Sequence, residues 1–316
     1  MTVESWQRLV ERHLVSSRNP LIVILGPTAS GKTAFSLRVC EQIRNGSHGW
    51  CGAEVVNADS RQLFRHLDIG TAKIAASEMQ GIPHHLIDVR DPREPVSVGW
   101  YQEQATAAID DILKRQSVPV LVGGSMLYIS AIVDGLKPLP PADPALRKRL
   151  SGEYDRDGGA SLLRRLASLD PESARAIDQR NKVYLVRAME LCESAGMPAS
   201  RQKVTAQAPY DLLMLGMDWP RAELHHRINE RTHQLFAAGW VEEVEGLLRR
   251  GYGADDPGMI SHGYREIANA MVDGRWQMTA EDANALASAV AAKTRQYAKR
   301  QMTWWRNDAR ISWVKG

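Results

Sequence analysis

Short apolar runs closed by glycine or proline organise the first part of the chain. Leu21-Ile-Val-Ile-Leu25 is continuously apolar and stops at Gly26-Pro27, the pattern of a strand buried on both faces of a parallel sheet. Residues 33–44 follow as a predicted helix. Ala53-Glu-Val-Val-Asn-Ala58 predicts a second strand, and residues 85–89 a weaker third. Residues 97–116 carry helical periodicity, and Val118-Pro-Val-Leu-Val122 reads as a further strand ending in Gly123-Gly124. Strands alternating with helices indicate an α/β fold with a parallel sheet flanked by helices.

The alternation stops at Lys137-Pro-Leu-Pro-Pro-Ala-Asp-Pro144, where dense proline ends a helix and makes a stiff connector. From there to about residue 197 the pattern is purely helical, with Asp170-Pro171 reading as a helix start. A strand pattern returns only at residues 212–217. From Pro220 onward the pattern is helical and ends in a long segment near residues 280–306. The expected layout is a core formed by residues 1–140 and 206–316, interrupted by an all-helical insertion domain at 141–205.

Composition adds limits. The chain has 316 residues, 44% hydrophobic and 24% charged, ordinary for a globular protein with a sizeable core. No apolar run approaches the ~20 residues of a membrane-spanning helix. The N-terminal stretch mixes Glu4, Arg8, Glu11, Arg12 and His13 with apolar residues, so it lacks the core of a signal peptide. A cytoplasmic monomer is expected. Cys40, Cys51 and Cys192 are odd in number and show no C-x-x-C spacing, which argues against a disulfide framework or a zinc site. The net charge of +3 is too small to imply nucleic acid by itself. Its distribution is uneven: Lys293, Arg295, Lys299, Arg300, Arg306, Arg310 and Lys315 are opposed only by Asp308. Either a polyanionic partner or a solvated helix face accounts for that.

Gly26-Pro-Thr28-Ala29-Ser30-Gly31-Lys32-Thr33 fits the phosphate-loop pattern G-x-x-x-x-G-K-[ST] between a strand and a helix. Its glycines let successive N–H groups turn inward, and the helix N-terminus adds its positive end. Lys32 can reach a terminal phosphate, and the Thr33 hydroxyl can ligate Mg²⁺. What happens to the phosphates is left open. Asp59, just past the second strand, can hold Mg²⁺ through water as in a kinase or NTPase, or act as a general base on a second substrate. A helix-capping role for Asp59 is the structural alternative. His84 and His85 have no third ligand spaced nearby and read as structural or substrate-lining.

Beyond the phosphate loop, further motifs appear in a fixed order. They are Asp59-Ser60-Arg61-Gln62 with Asp68-Ile-Gly-Thr-Ala-Lys73, Pro83-His-His-Leu-Ile-Asp88, Gly123-Gly-Ser-Met-Leu-Tyr128, Gly263-Tyr264-Arg265, and Arg295-Gln-Tyr-Ala-Lys-Arg-Gln-Met-Thr-Trp304. Together they resemble the tRNA dimethylallyltransferases, also called tRNA isopentenyltransferases, from Pro20 to Arg306. The resemblance implies transfer of a dimethylallyl group from dimethylallyl diphosphate to N6 of the adenosine 3′ of the anticodon, in a flipped-out pocket. The loop (Gly26, Thr28, Ala29, Ser30, Gly31, Lys32, Thr33) would then cradle a diphosphate leaving group, with Mg²⁺.

By the same resemblance Asp59 accepts the amine proton, Arg231 contacts the diphosphate, and Ser125, a threonine in the family pattern, lies in the channel where base and donor meet. A helix-capping hydroxyl is the alternative for Ser125. The tRNA anticodon stem-loop would meet Asp59, Ser60, Arg61, Gln62 and Ser125 at the site, and Arg147 and Arg187 on the insertion. Toward the C-terminus it would meet His262, Gly263, Tyr264 and Arg265, then Lys299, Arg300, Gln301, Thr303, Trp304 and Arg306. Asn181-Lys-Val-Tyr184 and Ile260 depart from the family pattern by removing polar groups from that surface. Rival readings are a P-loop nucleotide kinase or NTPase, a transferase acting on free adenine nucleotides, and a non-catalytic RNA-binding protein.

Overall fold

The computed structural model describes residues 5–136, 139–140, 143–202, 208–277 and 279–316. Residues 137–138 and 141–142 of the proline-rich connector, and residues 203–207 at the far boundary of the expected insertion, lie outside them. Six strands form one parallel sheet in the order β3-β2-β4-β1-β5-β6. In chain order, α1 (Trp6–Ser16) precedes β1 (Pro20–Leu25), and α2 (Lys32–Asn45) connects to β2 (Gly52–Ala58). Strand β3 (His84–His85), α3 (Val98–Lys114), β4 (Ser117–Gly123) and α4 (Met126–Val133) follow.

Central position explains composition. Strand β1 lies between β4 and β5, and all six of its residues are buried. Ile22 and Ile24 pack with Val10, Leu14, Phe35, Val39 and Ile43 of α1 and α2, while Leu21, Val23 and Leu25 are equally buried on the opposite face. A continuous aliphatic run suits a strand covered on both sides.

Two compact units emerge: Met1–Val96 with Trp100–Val133 and Ala208–Gly316, and Ser97–Gly99 with Asp134–Gln207. The second carries α5 (Pro144–Asp157), α6 (Ala160–Leu169), α7 (Pro171–Ala176), α8 (Lys182–Ala195) and α9 (Ala199–Gln202) around Leu150, Leu162, Leu166, Leu185 and Met189. Its helix starts are written locally: Asp143 accepts from Ala145 N and Leu146 N ahead of Pro144, and Asp170 accepts from Ser173 N ahead of Pro171. Aspartate at the cap and proline in the first turn are the favoured pairing.

The first unit resumes with β5 (Asp211–Asp218), α10 (Arg221–Ala237), α11 (Trp240–Arg249), α12 (Tyr264–Ala270), α13 (Ala280–Trp305) and β6 (Ile311–Lys315). Two expectations need correction. The third strand is only two residues long and pairs with Val55 and Val56. The chain after Pro220 is not all helical: Ile311-Ser-Trp-Val-Lys315 pairs in parallel with β5 from Met214 to Asp218. That segment follows the long basic helix and is too short to announce itself, and pairing with β5 makes it a strand.

Candidate active site

The phosphate loop leaves the C-terminal end of β1 and enters α2 through Gly31, whose φ of +86° a side chain would strain. Ala29 also has positive φ, +61°. Three of the loop's carbonyls accept side-chain hydrogen bonds. Lys32 Nζ donates to Pro27 O at 2.8 Å, Arg227 Nε to Ala29 O at 3.0 Å and Trp219 Nε1 to Ser30 O at 3.0 Å. Arg227 also stacks on the Trp219 ring, 4.0 Å from its centroid. The amides of Ala29, Gly31, Lys32 and Thr33 have no partner among the described residues. The buried Ser30 hydroxyl has none either. Unpaired donors converging at a helix N-terminus are the physical definition of an anion cradle.

Charge converges on the same place. Lys32 and Arg231 are half-buried, and the Arg231 guanidinium makes no hydrogen bond or ion pair to another described residue. Burial pushes the Lys32 ammonium down to about 8, Asp59 opposing the shift and Arg231 adding to it. Burial likewise lowers Arg231, with Asp59 again opposing and Arg227 reinforcing. Asp59 and three cations, Lys32, Arg231 and Arg227, are thus electrostatically coupled.

Asp59 is fixed from its backbone outward. Asn57, buried at the end of β2, accepts from Asp59 N at 3.0 Å and donates to Asp59 O at 3.0 Å and Leu86 O at 2.9 Å. The buried Tyr101 hydroxyl donates to Asn57 O at 3.0 Å. One carboxylate oxygen of Asp59 accepts from Arg61 N at 2.9 Å, which turns the loop locally. Tyr101 stacks on Tyr128 with centroids 3.9 Å apart. Burial first, then the Asp59 charge, raises the Tyr297 phenol to about 12; Tyr128 also reaches about 12, burial again leading, with Arg61 opposing and Asp59 adding. Asp59 thus lies within electrostatic reach of two buried phenols, Tyr128 and Tyr297.

Ser125 opens α4, but its hydroxyl does not cap that helix. It accepts from Ser60 N at 2.9 Å, and Ser125 N donates to Ala58 O at 3.1 Å. The loops after β2 and β4 are thereby tied side by side. Gln62 donates to Thr71 O and Ala72 O, and Arg61 Nη1 to Pro257 O. His84 and His85 belong elsewhere: His84 Nδ1 lies 2.8 Å from Ile82 O, and His85 Nε2 2.7 Å from Glu54 Oε2.

Helix α13 divides the expected tRNA contacts. Trp305 is 2% exposed and Trp304 47%, the consequence of successive residues turning about 100°. Arg300 sits 5.6 Å from the Tyr297 ring centroid, and the His262 ring 6.0 Å from it. Burial, and then the cations Arg300, Arg61 and Lys293 against Glu266, lower His262. Arg265 pairs with Asp255 at 2.6 Å. On another face, Arg295, Lys299, Thr303 and Arg306 line a cavity of about 370 Å³ with Trp219, Arg221 and His225. Tyr264 and Gln301 do not fit the expectation of surface contacts. Tyr264 is fully buried with its hydroxyl on Glu243, and Gln301 is 1% exposed with both ends of its amide engaged. Gly263 is buried against Trp240.

In the second unit, Arg147 and Arg187 meet on Glu190, whose side chain is 1% exposed, at 2.7 and 2.9 Å. Asp143 N donates to the same carboxylate at 2.8 Å, and Arg187 Nη2 to Pro140 O at 2.7 Å. Val183, Tyr184 and Ile260 are exposed apolar side chains.

Sequence reading assigned no role to Asn57, Tyr101, Tyr297 or Arg227. The four-residue spacing of Tyr297 and Gln301, inside a motif already singled out, was the available signal. Asn57 and Arg227 carried none, because their partners are backbone carbonyls and amides that the fold brings to them.

The family model described as IPP transferase matches residues 62–308. The tRNA dimethylallyltransferase of Symbiobacterium thermophilum is 42% identical over 298 residues, covering 93% of this chain and 89% of that protein. That of Geobacter sulfurreducens is 41% identical over 302 residues, covering 95% and 93%. A full-length tRNA isopentenylpyrophosphate transferase from Bacillus halodurans superposes with a TM-score of 0.65 at 36% identity, covering 94% of this chain and 90% of that one. A eukaryotic dimethylallyltransferase acting on tRNA superposes at 0.76 with 21% identity, covering 94% and 74%, a likeness of fold.

Proposed function

The chain belongs to the IPP transferase family, and on that premise we propose that it transfers a dimethylallyl group from dimethylallyl diphosphate to N6 of the adenosine 3′-adjacent to the anticodon of tRNA. The allylic C–O bond breaks, its electron pair leaving with diphosphate. The N6 lone pair forms the new C–N bond, and the N6 proton passes to Asp59. One observation carries this reading: Asp59 acts on both Lys32 and Arg231, beside a loop whose Ala29, Gly31, Lys32 and Thr33 amides are unpaired among the described residues. Two cations and the unpaired amides suit the charge that grows on a departing diphosphate. Asp59, held by Asn57 and Arg61 N, suits a fixed proton acceptor.

The exposed Thr33 hydroxyl, on the first turn of α2, would hold a Mg²⁺ beside the phosphate loop. When bound, Mg²⁺ supplies further charge neutralisation to the diphosphate oxygens.

The tRNA anticodon stem-loop lies against Arg61, His262 and Arg300 beside Tyr297, with Trp304, Lys299, Thr303 and Arg306 following along α13 and Arg265 on α12. Arg147 and Arg187 present their solvent-facing edges to RNA on the helical insertion domain. The enzyme works as a cytoplasmic monomer; among the described residues no helix is long and apolar enough to cross a membrane.

Incubation with labelled dimethylallyl diphosphate, Mg²⁺ and unmodified tRNA, followed by nucleoside analysis, tests the reading. N6-dimethylallyladenosine at the position 3′ of the anticodon is expected. Release of γ-phosphate from ATP without prenyl transfer would overturn it in favour of a nucleotide kinase or NTPase. Transfer to AMP but not to tRNA would move the acceptor to free nucleotides.

A further inference from the structure

Resting on the transfer reading above, we infer that Gln301 is a positioning residue that sets the spacing between the loop holding the diphosphate and the loops holding the acceptor, and is not a contact to tRNA. It lies on α13 among exposed Lys299, Arg300 and Thr303, yet its own side chain is 1% exposed. Its Oε1 accepts from Thr28 N, in the phosphate loop, at 3.0 Å. Its Nε2 donates to Gly124 O, in the loop after β4, at 2.7 Å. Only one orientation of the amide satisfies an N–H on one side and a C=O on the other.

The neighbourhood is shaped to accept this group. A Cβ at Gly124 would collide with the Gln301 amide, so the second glycine of Gly123-Gly124 makes room for it. Tyr297, one turn earlier, directs its hydroxyl to the same Gly124 carbonyl at 3.3 Å. From Gly124 the connection runs through Ser125, whose hydroxyl accepts from Ser60 N at 2.9 Å, to the residue adjoining Asp59. Three hydrogen bonds and the Gly124–Ser125 peptide bond thus join Thr28, Gln301, Gly124, Ser125 and Ser60. The two ends of this connection are the part of the protein that holds the leaving group and the part that holds the base.

The same hydrogen bond occupies the Thr28 amide. The phosphate loop therefore offers its inward donors from Ala29 onward, and Thr28 serves as an anchor of the loop. Transfer between two bound molecules depends on approach distance and angle more than on affinity, and a displacement of about 1 Å can cost ~10² in rate. A side chain that ties the two loops without touching either substrate acts on that approach.

Gln301→Met removes both hydrogen bonds at nearly constant volume. Expected are a kcat lowered about 10²-fold and a KM for tRNA within about threefold of wild type. Gln301→Glu adds a readout that loss of structure does not mimic. A protonated carboxyl can accept from Thr28 N and donate to Gly124 O as the amide does, whereas the ionised form faces the Gly124 carbonyl with no proton to donate. The ratio of variant to wild-type kcat should therefore rise as pH falls, by up to about tenfold per unit. The ratio divides out any pH dependence the two proteins share.

A KM for tRNA raised tenfold at unchanged kcat would make Gln301 an RNA contact and overturn the inference. An unchanged kcat for Met, a pH-independent ratio for Glu, or failure of both variants to fold would also overturn it. Wild-type protein in the same assay separates the two claims: no transfer by wild type defeats the transfer reading, and wild-type transfer with indifferent variants defeats this one.

Discussion

Two pairs of cations, in the two compact units, meet opposite electrostatic conditions. Arg147 and Arg187 converge on Glu190, a buried carboxylate that also takes the Asp143 amide, so their charge is met within the fold. Lys32 and Arg231 both feel Asp59, Arg227 adds a further positive charge beside Arg231, and burial lowers the pKa of both. The first pair stabilises its unit and leaves edges for a partner. The second is held at a desolvation cost that an incoming diphosphate relieves. Among these cations, an unmatched pair marks chemistry more clearly than a paired one.

The strongest test of that contrast removes the lone carboxylate of the unmatched site. Asp59→Ala should keep donor and tRNA binding while losing ~10²–10⁴ in kcat, read by single-turnover transfer; a rate within a few-fold of wild type would take Asp59 out of the mechanism. Arg231→Met should lower kcat/KM for the donor by ~10²–10³. It should leave the melting temperature unchanged or higher, since an unpaired, half-buried cation is gone. Glu190→Ala should do the reverse. Leaving two guanidiniums facing a vacated site costs about 2–4 kcal/mol, below the figure for a fully buried pair because Arg147 is 47% exposed. Denaturant unfolding checks this, with kcat of the folded fraction near wild type.

A smaller effect comes from pH. Lys32 is protonated in the free protein below about 8, and a diphosphate binds the protonated form better. Donor affinity should accordingly be constant below that pH and fall above it, by at most about tenfold per unit, while Lys32→Arg should flatten the profile. Isothermal titration at several pH values decides. The smallest expected change is on the solvent-exposed surface of α13, where Lys299 and Arg300 occupy neighbouring faces. Lys299→Glu with Arg300→Glu should weaken tRNA binding and lower the salt slope by about 1 for every phosphate no longer neutralised. An unchanged slope in a filter-binding series would remove that face from the interface.

How much of the fold and the site was legible in the sequence depends on whether the cause is local. The phosphate loop, the apolar β1, and the Asp-Pro start of α7 depend on residues within a few positions of one another. Their pattern states their structure. Strand β6 was not legible, because a five-residue segment becomes a strand only through β5. Gln301 stands among the expected tRNA contacts only by the resemblance of its segment to the family motif, and that resemblance carries no sign of its burial. Its burial follows from the rotation of α13 against Gly124 and Thr28, set by packing.

By itself the sequence determined that a phosphate-binding loop joins a buried strand to a helix, and that an ordered series of motifs ties the chain to one family. It also determined that basic residues gather toward the C-terminus. Tertiary structure alone decided which cations are matched by carboxylates and which side of α13 each of its residues occupies. It decided too that Asn57, Tyr297 and Gln301 surround the site. The physical reason is range: dihedral preference, capping and apolar periodicity act over a few residues. Charge compensation and burial are settled by groups such as Arg147 with Glu190, or Thr28 with Gln301, that only the fold brings together.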